Sequence, residues 1–195
     1  MPRQDRATAA VILAAGLGVR FGGRKLLSEL EGRPLLQHVL DLVASLPVEP
    51  VVVVLGRDAD ELRAACRWRA EVIVVNPRPG AGLASSVRRG LGELEHTRAD
   101  RALMLLGDQP WLRVAQVQVL LAAQSVRPLA VPRYQRTPGA PVLVDRSAWP
   151  LAVQLHGDQG FSQLFATHPE LVTYVDVPGT NPDVDSPADL SRDAG

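Results

Sequence analysis

The hydrophobic positions of this chain change period repeatedly. Ala10–Ala15 reads AVILAA, an unbroken apolar run of strand length. Such runs suit a strand buried on both faces of a parallel sheet. From Pro34 to Leu46 the pattern turns helical, with Leu35, Leu36, Val39, Leu40, Leu42 and Val43 on one broad face. Val51–Leu55 is again a continuous apolar run, Ala59–Trp68 reads as a short helix and Val72–Val75 as a third strand. A Pro/Gly-rich loop, Asn76–Gly82, leads to a helix over Leu83–Leu94, and Ala102–Leu106 makes a fourth buried strand. Strand and helix therefore alternate. That order predicts an α/β fold with a mostly parallel sheet and right-handed crossovers.

Beyond residue 110 the regularity fades. Val114–Gln124 reads as a helix, Leu129–Pro132 and Pro141–Val144 as strands, and Phe161–Thr167 as a short helix. Leu171–Val175 is a strand and Pro187–Ser191 a helical turn. No repeat, low-complexity tract or linker interrupts the chain. The expectation is one domain over 1–195, in which 111–195 is an added layer on the sheet built by 9–110.

A length of 195 residues is enough to bury a substantial core. Composition then removes several function classes. The 21 basic residues balance 21 acidic ones, which argues against a nucleic-acid or anionic-membrane binder working by bulk charge. Aromatics make up only 4%, too few for a platform that stacks single strands. Cys66 is the one cysteine, so no disulfide within the chain and no zinc site built on cysteines can form. It reads as a small packing residue rather than a nucleophile. Met1–Thr8 is polar, and the apolar run after it is too short to span a bilayer, so the expected location is cytoplasmic.

The chemistry concentrates after the first strand, in Gly16-Leu17-Gly18-Val19-Arg20-Phe21-Gly22-Gly23-Arg24-Lys25. Ligands in α/β sheets bind at the carboxyl ends of strands, where a Gly-rich backbone can expose its N–H groups to anions. The spacing departs from a dinucleotide fingerprint, which needs G-x-G-x-x-G opening directly into a helix. It departs from a Walker A loop too: Gly18-x4-Gly23 is followed by Arg24-Lys25-Leu26, so the lysine is displaced and the metal-binding hydroxyl is absent. It satisfies every fixed position of L-A-A-G-x-[GS]-x-R-x-G-x-x-K, from Leu13 to Lys25. Solvated turn charges would not require two cations at fixed spacing after two glycines.

On these residues the chain resembles the MobA-like NTP transferase family, and within it the molybdenum cofactor cytidylyltransferase branch. The resemblance runs over roughly 9–191. It implies a Rossmann-like three-layer sandwich of the glycosyltransferase-A type, with 9–110 as nucleotide-binding half and 111–195 as acceptor-binding half. Leu13, Ala14, Ala15, Gly16 and Gly18 would cradle the nucleotide, and Arg20 and Lys25 would hold its phosphates. The guanylyl branch reads L-A-G-G at the first strand, and Ala15 matches the cytidylyl form.

Later motifs extend the resemblance. In Gly107-Asp108-Gln109-Pro110, Asp108 can be read as a helix cap or as an oxygen ligand for Mg²⁺ at a strand end. The resemblance implies the metal role. In Asp183-Val184-Asp185-Ser186-Pro187-Ala188-Asp189, a capping-box-like start explains Ser186, Pro187 and Asp189. Asp185 is then the second metal ligand by resemblance to D-x-D-[ST]-P, while Asp183 could be a structural acceptor. Gly82 and Ser86 resemble a base- or ribose-contacting segment, although ordinary helix capping explains the serine too. The segments with Gly139 and Pro141, and with Gly157 and Asp158, read as plain turns from the residues alone, and resemble the family's acceptor-binding segments. Phe161-Ser162 follows where relatives often read Ala-Arg, a departure that bears on the acceptor. His38, His96, His156 and His168 have no ligand-like spacing.

The resemblance thus implies a Mg²⁺-dependent enzyme that transfers CMP from CTP to molybdopterin or its molybdenum-loaded form, releasing pyrophosphate. A molybdenum hydroxylase apoenzyme is the implied protein partner. Nucleic acid and membrane are not expected partners. The alternatives are a nucleotidyltransferase using GTP or another phosphorylated acceptor, and a non-catalytic molybdopterin carrier.

Overall fold

The computed structural model describes residues 6–123 and 125–191; the Arg20 side chain is also outside what it describes. The chain runs β1 (Thr8–Ala14), β2 (Glu29–Leu30), β3 (Arg33–Pro34), α1 (Leu35–Val43), β4 (Val51–Leu55), α2 (Ala59–Ala65) and β5 (Val72–Val75). It continues through α3 (Leu83–Leu94), β6 (Arg101–Leu106), α4 (Val114–Ala122), β7 (Leu129–Tyr134), β8 (Thr137–Pro138) and β9 (Val142–Asp145). The last elements are α5 (Phe161–Thr167) and β10 (Val172–Val177), followed by a 3₁₀ turn at Pro187–Ser191.

The main sheet has the order β10-β7-β9-β6-β1-β4-β5, with β8 beside β7. Strand β1 lies between β4 and β6, parallel to both. All seven of its residues are buried, as the unbroken apolar run requires. Its side chains alternate between two cores. Ala9, Val11 and Leu13 pack with α3, α5 and a 3₁₀ segment at Arg146–Gln154. Ala10, Ile12 and Ala14 pack with α1, α2 and α4. Helices on both faces of one sheet make the expected three layers.

The second half departs from expectation in one respect. It extends the sheet sideways rather than adding a layer to it. Strand β9 runs antiparallel to both β6 and β7, and β10 runs parallel to β7. The helix expected to Trp68 ends at Ala65, and the helix expected to Gln124 ends at Ala122, Gln124 itself lying outside the described residues. Elements without a clear period were not anticipated, among them the β2–β3 hairpin, the short strand β8 and the 3₁₀ segment Arg146–Gln154. His38 tethers that hairpin, with Nε2 2.9 Å from the Leu30 carbonyl. Cys66 is buried just past α2, and burial pushes its thiol up to about 11, away from any nucleophilic role.

Candidate active site

A cleft of about 500 Å³ opens at the carboxyl ends of β1 and β6. Its wall carries Leu13, Ala14, Ala15, Gly16, Gly18 and Lys25 from the first motif, and Gly82 and Ser86 from the start of α3. Asp108, Asp158 and Asp185 complete the polar lining. A wider, more open hollow of about 640 Å³ lies beside it, over β4 and β5, and shares only Pro79 and Gly80. The acidic pair and the Gly-rich loop face the smaller cleft.

The first wall is set by close backbone approach. Gly56, just after β4, lies against Ala15, and a Cβ there would stand 2.8 Å from the Ala15 carbonyl oxygen. Only a glycine lets β4 end so near the loop. After β1 the chain turns on the Gly18 carbonyl, which accepts from Phe21 N and Gly23 N, both at 3.0 Å. Arg20 sits in this turn at Val19–Phe21. The loop then delivers Lys25 to the centre of the cleft.

Lys25 Nζ lies 2.5 Å from Asp108 Oδ2 and 3.9 Å from Asp185 Oδ1. One ammonium therefore marks a point that both carboxylates can reach. Asp108 is placed by β6 and by Gly107, whose N–H donates to Leu13 O at 3.0 Å. Asp185 is brought in by the buried Val184, whose N–H donates to the Asp108 carbonyl at 3.0 Å. Two acidic motifs far apart in sequence are joined by that bond. The cap expected after them forms: Asp189 Oδ2 accepts from Asp185 N, Ser186 N and Ser186 Oγ at 3.0, 2.7 and 2.9 Å.

Asp183 has a different environment. Its Oδ1 accepts from Gln109 Nε2 at 2.6 Å, the structural role open to it from the sequence. Withdrawal from water and the charge of Asp108 push its carboxyl above the usual range, against the Gln109 bond, although one side of the residue faces solvent. Gln109 is itself buried and accepts from Asn181 Nδ2 at 2.9 Å; the same Nδ2 is 3.0 Å from Ala140 O. The acid pair is thereby linked to the turn that carries Gly139 and Pro141. These two residues do not line the cleft.

The second wall joins the two halves of the chain. Gly82 has φ +85°, and a Cβ there would fall 2.1 Å from the Gly157 carbonyl carbon. Gly157 O accepts from Ala84 N at 3.0 Å, and Arg88 Nη1 donates to Leu155 O at 2.6 Å. The loop bearing Asp158 is thus clamped onto the N-terminal turn of α3. Ser86 is buried, and its hydroxyl accepts from Asn76 Nδ2 at 3.0 Å. It has a structural partner as well as a place on the wall. Gly56, Gln109, Asn76 and Arg88 were not singled out from the sequence. A glycine directly after an apolar run was the only available signal, at Gly56.

Among the described residues no group of three or more His, Cys, Asp or Glu side chains is arranged to hold a metal. Asp108 and Asp185 nonetheless fit a divalent ion that keeps water or phosphate oxygens as its other ligands, since one cationic group already reaches both.

Comparison with known proteins gives a consistent picture. A family model described as MobA-like NTP transferase domain matches residues 10–172. The chain is similar to the structure of the Rv0371c homologue from Mycobacterium sp. strain JC1, with 30% identity and TM-score 0.83 over 96% of this chain and 94% of that one. It is similar to Rv0371c of Mycobacterium tuberculosis H37Rv in complex with manganese, with 28% identity and TM-score 0.81 over 94% and 95% of the two chains. A CMP:2-keto-3-deoxy-manno-octonic acid synthetase complexed with CTP shares the fold at 18% identity and TM-score 0.76, over 94% and 95%. Among curated proteins, the bifunctional protein GlmU of Desulfitobacterium hafniense (strain Y51) is 36% identical over 116 residues, 58% of this chain and 24% of that protein. The chain spans about a quarter of the length of such curated relatives.

Proposed function

Because the chain belongs to the MobA-like NTP transferase family, we propose that it transfers CMP from CTP to molybdopterin or a similar phosphorylated acceptor, releasing pyrophosphate. The observation that carries this reading is the meeting of Lys25, Asp108 and Asp185 beside the Gly-rich turn at the end of β1.

Transfer between two phosphate-bearing substrates is an electrostatic problem. A phosphate monoester has a second pKa of about 6, so at neutral pH it is a ready nucleophile and needs no strong base. None of the four histidines lines the cleft, which agrees with that chemistry. Phe21, Gly22 and Gly23 use their N–H groups inside the turn, so it is the earlier part, Gly16 to Val19, that would present N–H groups to the triphosphate. Arg20 and Lys25 would hold the β- and γ-phosphates and stabilise the departing pyrophosphate. Asp108 and Asp185 would hold Mg²⁺, which would neutralise phosphate charge as the two substrates meet. Asp158, on the opposite wall, would contact the acceptor, held there by the Gly157 clamp on α3, with the Gly139–Pro141 turn as the further acceptor-side segment.

The test is pyrophosphate release with each of the four nucleoside triphosphates, with and without molybdopterin. Release with CTP that depends on molybdopterin is expected. Release that depends on GTP or on another phosphorylated acceptor would replace the substrate assignment. No release under any combination would overturn the enzyme reading in favour of a carrier.

A further inference from the structure

Lys25 and a divalent ion have claims on the same oxygens. Nζ stands 2.5 Å from Asp108 Oδ2 and 3.9 Å from Asp185 Oδ1. The Lys25 side chain is only 14% exposed, so the ammonium sits between the carboxylates rather than in solvent. The neighbouring Asp183 is committed to Gln109 at 2.6 Å. No third side-chain ligand among the described residues strengthens the pair. A divalent ion arriving alone must therefore displace Lys25, and the displaced ammonium gains no partner. A nucleotide arriving alone brings polyphosphate toward carboxylates whose nearest cation among the described residues, Lys25, is already engaged. Both costs fall when ion and nucleotide arrive together. The ion can take Asp108 and Asp185, while Lys25 turns its flexible four-carbon stem to the phosphates.

We propose that Lys25 is an exchange cation: it holds Asp108 and Asp185 together until phosphate draws it away, so that the site takes the metal–nucleotide complex as one ligand. The assignment rests on the nucleotidyl-transfer reading of the cleft. By linkage, the nucleotide raises affinity for the ion by the same factor that the ion raises affinity for the nucleotide.

The experiment titrates Mn²⁺ by electron paramagnetic resonance into the wild type, Lys25→Met and Lys25→Gln. Each titration is run alone and with a non-hydrolysable α,β-methylene analogue of CTP. Without nucleotide, both variants should bind Mn²⁺ at least about fivefold more tightly than the wild type, the low end of ordinary coupling between sites. With the analogue the order should reverse, because only the wild type gains the lysine–phosphate contact. Two substitutions guard against one that fails to fold, which circular dichroism would detect. Equal or weaker Mn²⁺ binding by the variants without nucleotide overturns the exchange, as does an advantage that persists with the analogue. If the wild type still releases pyrophosphate in that case, nucleotidyl transfer stands and only the exchange falls. Absence of Mn²⁺ binding in every protein and condition would overturn both.

Discussion

At Asp108 two parts of one residue serve different ends: the carboxylate meets Lys25, and the carbonyl receives the Val184 N–H. Asp108→Asn keeps the second contact and changes only the first, so chemistry and folding can be separated there. The cations proposed to hold phosphate offer a similar separation. Lys25→Ala and Arg20→Ala should each lower turnover by about 10²–10³, the scale for losing one preorganised charge stabiliser. The urea midpoint of Arg20→Ala should stay close to wild type, while that of Lys25→Ala should fall, because Asp108 and Asp185 lose the cation between them. Turnover within about twofold of wild type would reduce both to turn charges. Ala15 is the residue proposed to address base choice. It belongs to the buried core yet borders the cleft, and its backbone lies against Gly56, so the wall there has little room to give. A methyl-sized change in a pocket is worth about 1–3 kcal/mol. The ratio of kcat/KM for CTP over GTP should therefore exceed about tenfold in the wild type and fall in Ala15→Gly. These residues were legible because their spacing is local, within one loop or one turn. Gln109 and Asn181 were not: what makes them matter is a partner many residues away, Asp183 for one and Ala140 for the other.

Helix α3 links the sheet to the cleft, and its register depends on Gly90. A Cβ at Gly90 would stand 2.4 Å from Val11 Cγ1 and 3.1 Å from Val54 Cγ2. Both are β-branched side chains with little room to rotate. Gly90→Ala should therefore destabilise by about 1–3 kcal/mol despite its higher helix propensity, as overpacking does. It should also raise KM for the nucleotide, since the N-terminal turn of α3 forms part of the cleft wall; urea unfolding and initial rates read the two effects. Helix α1 is anchored by charge instead. Asp41 accepts from Arg69 and Gln37 at 2.9 Å and from Arg33 at 3.1 Å. Burial alone would raise its carboxyl, but these partners outweigh that and hold it below the usual range. A lowered carboxylate contributes stability that is present above its unfolded value of about 3.9 and lost as pH falls through the folded one. Asp41→Asn should then cost at most about 1 kcal/mol at pH 7, because the group is partly solvated, and the gap should close toward pH 2. Urea midpoints at the two pH values check it. Such elements were readable where the apolar period was clean, as in α1 and α3. The Arg146–Gln154 segment was not, because Pro150 interrupts any helical period and its apolar residues also suit a loop.

On the scale of the whole molecule, both halves share one sheet, with β9 seated between β6 and β7. The core above that sheet mixes Val11 and Val87 from the first half with Trp149, Phe161 and Leu164 from the second. Neither half can expose its strands without opening the other. Heat or urea should unfold the chain in one transition, with Trp68 reporting from the first half and Trp149 from the second. Single-tryptophan variants should give coincident midpoints; two separated transitions would divide the chain into domains. Alternation of strand and helix made the first half legible as a parallel sheet. The antiparallel entry of β9 was hidden, because a short apolar run carries no record of its direction. The bond from Val184 N to Asp108 O has a consequence for how such a protein can change over generations. It fixes where the second acid sits by pairing two backbones, irrespective of how much chain lies between them. On the proposed reading, loops at the rim of the second half, such as 157–160, can then be lengthened or rewritten to suit a new acceptor while the acid pair keeps its spacing, so that catalysis and acceptor choice would become separately inheritable parts of one small sheet.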